Sequence, residues 1–295
     1  METRQPKYVI AADMFAASPS ANELELFLRV GGIVSGSECT VSRQENGRVT
    51  LAAPTELILE SLLFQINQQL QYPMKTDPCY VLYLETITKS AGGEGKEIRR
   101  SKARDHYGHV RLTLEPLIRG EQFQFINSIR DGAIPEEFMP AVQEGISRGL
   151  KKGVLNGFPV VDVGCTVFEG SYHEIDSSNE AFEEAAFRAF EDGLRRAGPV
   201  LLEPIMKFQV QAPKDLISSL VGDLNKHRAW IRKTEPSSYG DLVEGLVPLS
   251  QVLGYHRILE KMTDKRARLT LQPDHYAIVS EEDSPDSPAA VAGLR

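Results

Sequence analysis

Gly157-Phe158-Pro159-Val160-Val161-Asp162-Val163-Gly164 opens the most informative stretch of the chain, and Gly170-Ser171-Tyr172-His173-Glu174-Ile175-Asp176-Ser177-Ser178 follows it. The apolar run over residues 159–168 reads as a buried strand. Residues 170–177 read as a protruding loop. In Ser177-Ser178-Asn179-Glu180 a serine is followed three residues later by a glutamate, the pattern of a capping box. It predicts a helix carrying Phe182, Ala186, Phe190 and Leu194 at four-residue spacing, and Gly198-Pro199 stops that helix.

Moving outward, Pro140 marks a helix start, and Val142, Ile146 and Leu150 recur every four residues before Lys151-Lys152-Gly153 closes the helix. Residues 109–114 and 79–88 read as strands. The polar stretch 89–106 reads as a second protruding loop. The middle of the chain is therefore an α+β domain with two loops standing out from it.

Both ends carry a different pattern. Residues 7–15 read as a strand. Ser20-Ala21-Asn22-Glu23 caps a helix whose apolar face is Leu24, Phe27 and Leu28, with Gly31-Gly32 as its end. Two short strands flank Glu45-Asn46-Gly47, a hairpin signal. A second helix starts near Thr55 with Leu59, Leu62, Ile66 and Leu70 on one side, and an extended piece follows at 72–75. The order βαββαβ predicts a ferredoxin-like unit. The last third repeats it, with strands at 206–211, 230–233, 241–247 and 268–272 and helices at 214–228 and 249–262. The acidic, proline-bearing tail from Glu281 reads as disordered.

Composition narrows the function. Of the 295 residues 41% are apolar and 25% charged, ordinary for a globular chain. There is no apolar run of about 18 residues to cross a membrane and no signal-peptide pattern at the start. Cys39, Cys79 and Cys165 are few, odd in number and widely spaced, which fits a reduced cytoplasmic setting better than disulfides or zinc. Net charge is −8, so any contact with nucleic acid requires a local basic patch. Residues 89–106 supply one: Lys89, Lys96, Arg99, Arg100, Lys102 and Arg104 face only Glu94, Glu97 and Asp105.

The quoted segments, with Leu201-Leu202-Glu203-Pro204-Ile205-Met206-Lys207, Gly222-Asp223-Leu224-Asn225 and Gly254-Tyr255, resemble the C-terminal domains III, IV and V of elongation factor G, a translational GTPase family. The resemblance is strong over residues 79–278 and largely architectural over 7–76. It implies a ferredoxin-like domain at 7–76, a ribosomal protein S5 domain 2-like domain at 79–201, a second ferredoxin-like domain at 202–278, and a tail at 279–295. It implies no GTPase domain here, leaving that domain either separate or missing. The chain departs from the family at Ser101-Lys102-Ala103-Arg104-Asp105-His106, where glycines are expected before Tyr107-Gly108-His109. It departs again at Pro54-Thr55-Glu56-Leu57-Ile58-Leu59, in the region that faces the GTPase domain in the family.

The family implies a domain IV tip that enters the decoding A site of the ribosome. On this chain that tip is Arg99, Arg100, Ser101, Lys102, Arg104 and His106 with Tyr172, His173 and Asp176, set against rRNA and the tRNA–mRNA duplex. Asn225, Lys226 and Arg228 are the corresponding domain V contacts near the stalk base. No catalytic residue is expected. A P-loop needs a fixed glycine-lysine-hydroxyl spacing to cradle phosphates, and Gly92-Gly93-Glu94-Gly95-Lys96-Glu97 lacks it. His173, Asp176 and Ser177 sit too close in sequence for a hydrolase triad, and His106, His109 and Cys165 lack a zinc-like second pair. The expectation is a monomeric, cofactor-free, metal-free, cytoplasmic translocation-factor body without membrane contact. An inhibitor or interaction protein at the factor site, or a recycling or protection paralogue, are the competing expectations.

Overall fold

The computed structural model describes residues 7–16, 23–44, 47–70, 74–99, 106–130 and 132–279. The chain is α+β: a ferredoxin-like unit, a unit of the ribosomal protein S5 domain 2 type, and a second ferredoxin-like unit follow one another in sequence. Contacts group them into two compact bodies, one formed by Tyr83–Leu202 and the other by the described residues up to Leu82 together with Glu203–Ala277.

The N-terminal unit runs β1 (Ile10–Ala16), α1 (Glu23–Val34), β2 (Thr40–Arg43), β3 (Val49–Ala53), α2 (Glu56–Gln69) and β4 (Met74–Thr76). Its strand order is β2-β3-β1-β4, the ferredoxin-like arrangement that βαββαβ predicts. Thr55 caps α2, its side chain accepting from Ile58 N, and Leu59, Leu62 and Ile66 are buried. The buried stripe of α1 is Leu26, Val30 and Val34, whereas Leu28 is exposed. The helix runs through Gly31-Gly32 to Val34: one helical face packed on the sheet outweighs the weak helix propensity of two glycines. The first capping box falls at Ser20-Ala21-Asn22, outside the described residues, as do Glu45 and Asn46 of the hairpin signal and the tail from residue 280.

The run at 79–88 is two short strands that serve different sheets. β5 (Tyr80–Val81) pairs with β1, and β6 (Leu84–Ile87) pairs with the first residues of a long strand at Pro199–Ala212.

The middle unit adds β7 (Ala91–Arg99), β8 (His106–Pro116), β9 (Phe123–Asn127), α3 (Met139–Lys152), β10 (Val163–Ser171) and α4 (Asn179–Arg196). The sheet order is β7-β8-β10-β9, with β9 parallel to β10. β9 has no counterpart in the sequence reading, and half of the stretch 89–106, which reads as a loop, is β7. The strand alternates strictly: Gly93, Gly95 and Glu97 are buried, while Glu94, Lys96 and Ile98 face outward. Glycine in place of apolar residues on the inner face hides that alternation.

Those glycines meet α4. A Cβ on Gly93 would stand 2.0 Å from the Ala189 carbonyl oxygen, and one on Gly95 2.0 Å from that of Ala185. The helix answers with its own small stripe, Ala181, Ala185, Ala189 and Gly193, so two backbones lie in contact. The apolar core continues beside them through Val110, Leu112, Leu114, Val163, Cys165, Val167, Phe182 and Phe190. Each large side chain there contributes roughly 1.5–3 kcal/mol by burial.

Two buried carboxylates organise the loops of the Gly157–Gly164 motif. Glu85 is 1% exposed, and its two oxygens accept from the backbone N–H groups of Val154, Leu155, Asn156 and Phe158 at 2.7–3.1 Å. Asp162 accepts from Gly120 N and Gln122 N at 2.9 and 3.0 Å and pairs with Arg119 at 3.1 Å. The strand read at 159–168 begins only at Val163 because residues before it bend around these carboxylates, with Val160 making a single bridge to Glu85.

The C-terminal unit runs β11 (Pro199–Ala212), α5 (Lys214–Lys226), β12 (Trp230–Ser237), β13 (Gly240–Pro248), α6 (Tyr255–Thr263) and β14 (Arg268–Ile278). Its order, β12-β13-β11-β14, repeats that of the first unit. The helix expected at 249–262 is divided: a single 3-10 turn at Leu249–Gln251 precedes Gly254, whose φ of 69° breaks the path before α6. Within this body α2 meets α6, where Glu56 accepts from Gly254 N at 2.8 Å and Glu60 pairs with Arg257 at 2.5 Å.

Replacing Gly93 with alanine forces its methyl group into the α4 backbone. We expect a loss of about 3 kcal/mol or more in chemical unfolding, whereas the same change at Gly222, which is open on α5, should gain up to about 1 kcal/mol.

Candidate nucleic-acid interface

The two loops expected to form a tip are brought together at one end of the middle unit. β7 and β8 form an antiparallel hairpin whose last registered pair is Arg99–His106. Residues 100–105, which include Arg100, Ser101, Lys102 and Arg104, lie outside the described residues. The second loop leaves β10 at Ser171, which is registered with His109 of β8. It returns along Tyr107: Tyr107 N donates to Asp176 O at 2.8 Å, and Ser177 Oγ donates to Tyr107 O at 3.0 Å.

Ser177 is the knot of this arrangement. It is buried (7% exposed), and its hydroxyl also accepts from His173 N at 2.9 Å. The capping role read for Ser177 belongs to Ser178, whose side chain accepts from Ala181 N at 3.3 Å. Ser178 Oγ also lies 3.1 Å from His106 Nδ1, which ties the first loop to the start of α4. The hydroxyl needed for a hydrolase triad is therefore committed to two backbone groups.

Side chains at the tip divide into supports and exposed groups. Tyr107 OH meets Ser171 Oγ at 2.7 Å, and the Lys96 ammonium lies 5.4 Å from the Tyr107 ring centre. His109 bridges Ser171 and Glu94 at 3.0 and 2.9 Å, so it supports the sheet. His173 is exposed and pairs with Asp176 at 3.0 Å, while Tyr172 and Ile175 point into solvent. Ile175 and Ile98, 71% and 57% exposed, add an apolar element that charge patterning could not show. Gly108 has a structural task, since a Cβ there would lie 2.5 Å from Ala181 O.

The imagined metal site at His106, His109 and Cys165 does not assemble. Cys165 lies in the apolar core, and burial pushes its thiol up to about 12. No group of three or more metal-ligating side chains occurs among the described residues, and no described helix is long and apolar enough to cross a membrane.

On the C-terminal unit Asn225, Lys226 and Arg228 lie at the end of α5 and just beyond it. Arg228 takes a left-handed φ of 58° and lies near buried Glu203. Burial pushes the Glu203 carboxyl above its ordinary range, against the opposing effects of Ser250 and Arg228.

Family models for elongation factor G domain IV and the elongation factor G C-terminus match residues 78–198 and 200–286. The chain belongs to the elongation factor G family. It is 40% identical over 232 residues to elongation factor G of Aquifex pyrophilus, covering 79% of this chain and 33% of that protein. It is also 40% identical over 239 residues to that of Fervidobacterium nodosum, covering 81% and 35%. The chain thus spans about a third of the length of these relatives. A crystal structure of a Thermus thermophilus protein covers 95% of this chain and 42% of its own at a TM-score of 0.71 and 33% identity.

Ser177→Ala removes one donor and one acceptor from the buried knot. We expect a loss of roughly 2 kcal/mol and faster hydrogen exchange at the His173 amide, with exchange in the β1–β3 sheet unchanged.

Proposed function

We propose that this chain is a non-catalytic, ribosome-binding body of the translocation type, with its domain IV tip entering the decoding A site. One observation carries the reading. The β7–β8 hairpin end and the 172–178 loop converge at the end of a domain IV-type unit, and the hairpin connection holds the basic cluster Arg99, Arg100, Lys102 and Arg104.

The parts differ in what they do. Cations at the hairpin end attract RNA phosphates by a sequence-independent, salt-sensitive term. Tyr172 and His173, held out from a loop knotted at Ser177, supply faces and donors for unpaired bases. The backbone contact between α4 and the described strands of the hairpin holds the base from which the tip projects. Asn225, Lys226 and Arg228 give a second contact near the stalk base. Nucleotide hydrolysis is assigned elsewhere, to a GTPase domain separate from these units, and the protein acts where the ribosomes are, in the cytoplasm.

Changing Arg99, Arg100, Lys102 and Arg104 together to alanine tests the tip. The slope of log affinity for ribosomes against log salt should fall by roughly 3, and translocation by the chain joined to a GTPase partner should fall with it. An unchanged slope removes the tip from the interface. Intact binding with inhibition of full-length elongation factor G favours the inhibitor reading.

A further inference from the structure

The C-terminal unit carries a second cluster that the domain V residues above only touch. Residues 226–233, Lys226-His227-Arg228-Ala229-Trp230-Ile231-Arg232-Lys233, hold four cations and no acid in a chain of net charge −8. Within it Trp230, the sole tryptophan, is 68% exposed at the start of the edge strand β12. Leaving so large an apolar ring in water forgoes burial worth roughly 2–3 kcal/mol.

The local backbone sets how that ring is presented. Register along β12 and β13 passes from Ile231–Gly245 to Lys233–Glu244, so Arg232 is the extra residue of a β-bulge. Residues two apart on a strand share a face, which puts Trp230 and Arg232 on one side of β12. Here the Arg232 guanidinium comes to 5.6 Å from the Trp230 ring centre. Nearby acids are engaged: Asp223 accepts from Tyr255 OH at 2.8 Å and lies 3.7 Å from His227, and Glu235 pairs with Lys233 at 2.6 Å. Lys226 and Arg228 precede the exposed ring in sequence, and Arg232 lies against it.

We propose that Trp230 and Arg232 form a stacking platform for an unpaired RNA base, with Lys226 and Arg228 on the adjoining phosphates. A flat aromatic with a guanidinium against it suits a nucleobase, and a run of cations with no acid among them suits a polyanionic backbone. A protein partner of ordinary surface composition, with both signs of charge interspersed, matches a segment of one sign less well. The proposal deepens the ribosome-binding reading by naming the RNA feature met by the C-terminal unit, and it is independent of the domain IV tip.

The intact chain is titrated at low salt with single-stranded oligo(A) of about 12 nucleotides, following Trp230 emission. Saturable quenching is expected. Trp230→Leu should bind labelled RNA about tenfold more weakly, while Trp230→Phe stays within about threefold of the parent. Arg232→Ala should lose affinity and flatten the salt dependence, with circular dichroism unchanged throughout. Emission unmoved by RNA, or equal affinity in Trp230→Leu, overturns the platform. Emission that responds to whole ribosomes but not to oligo(A) or isolated rRNA overturns it in favour of a protein partner. Cosedimentation with ribosomes without any Trp230 response leaves the tip reading standing and removes this one.

Discussion

Helix α4 lies on the β7–β8 hairpin backbone to backbone, and that contact exists only because side chains are missing from both surfaces. Gly93, Gly95 and Gly108 clear the sheet, and Ala181, Ala185, Ala189 and Gly193 clear the helix. Any larger residue on this seam would lift the helix and with it Ser178, which begins α4 and holds His106. Tyr107, Ser177 and the 172–178 loop depend on the same placement. The ends of β7 and β8 and the 172–178 loop are thus held by a two-layer packing that runs the length of α4.

Charge works against this background. A chain of net −8 gains little from long-range attraction to a polyanion, and screening shortens what remains. On the proposed reading, affinity for RNA comes from cations concentrated where contact is made. They are concentrated twice, at the hairpin end of the middle unit and along residues 226–233 of the C-terminal unit. Elsewhere, many described cations lie against carboxylates, as in Arg111–Glu169, Arg148–Glu183 and Arg188–Glu97.

The βαββαβ order of both end units is legible in the sequence because their strands and helices bury apolar residues at ordinary spacing. β7 is not. Its inner face is Gly93, Gly95 and Glu97, the last buried against Arg188, so the alternation carries no hydrophobic signal and reads as polar loop. β9 escapes notice because Phe123 and Phe125 sit in a short stretch rich in polar residues. At the candidate site, His173, Tyr172 and Asp176 are readable from the family resemblance, and the structure places them on one exposed loop. Ser177 reads as a cap because Glu180 stands three residues after it, whereas the folded backbone makes Ser178 the cap and buries Ser177. Trp230 gives no periodic or motif signal. Its exposure and the approach of Arg232 to it are properties of the folded sheet edge.

The units are proposed to be a ribosome-directed body in their own right. Cosedimentation of the chain with purified ribosomes across a salt series, with and without full-length elongation factor G, tests that most directly. Saturable binding that weakens with salt and is displaced by the factor is the predicted result. Absence of binding at low salt, or binding that the factor leaves undisturbed, would contradict it.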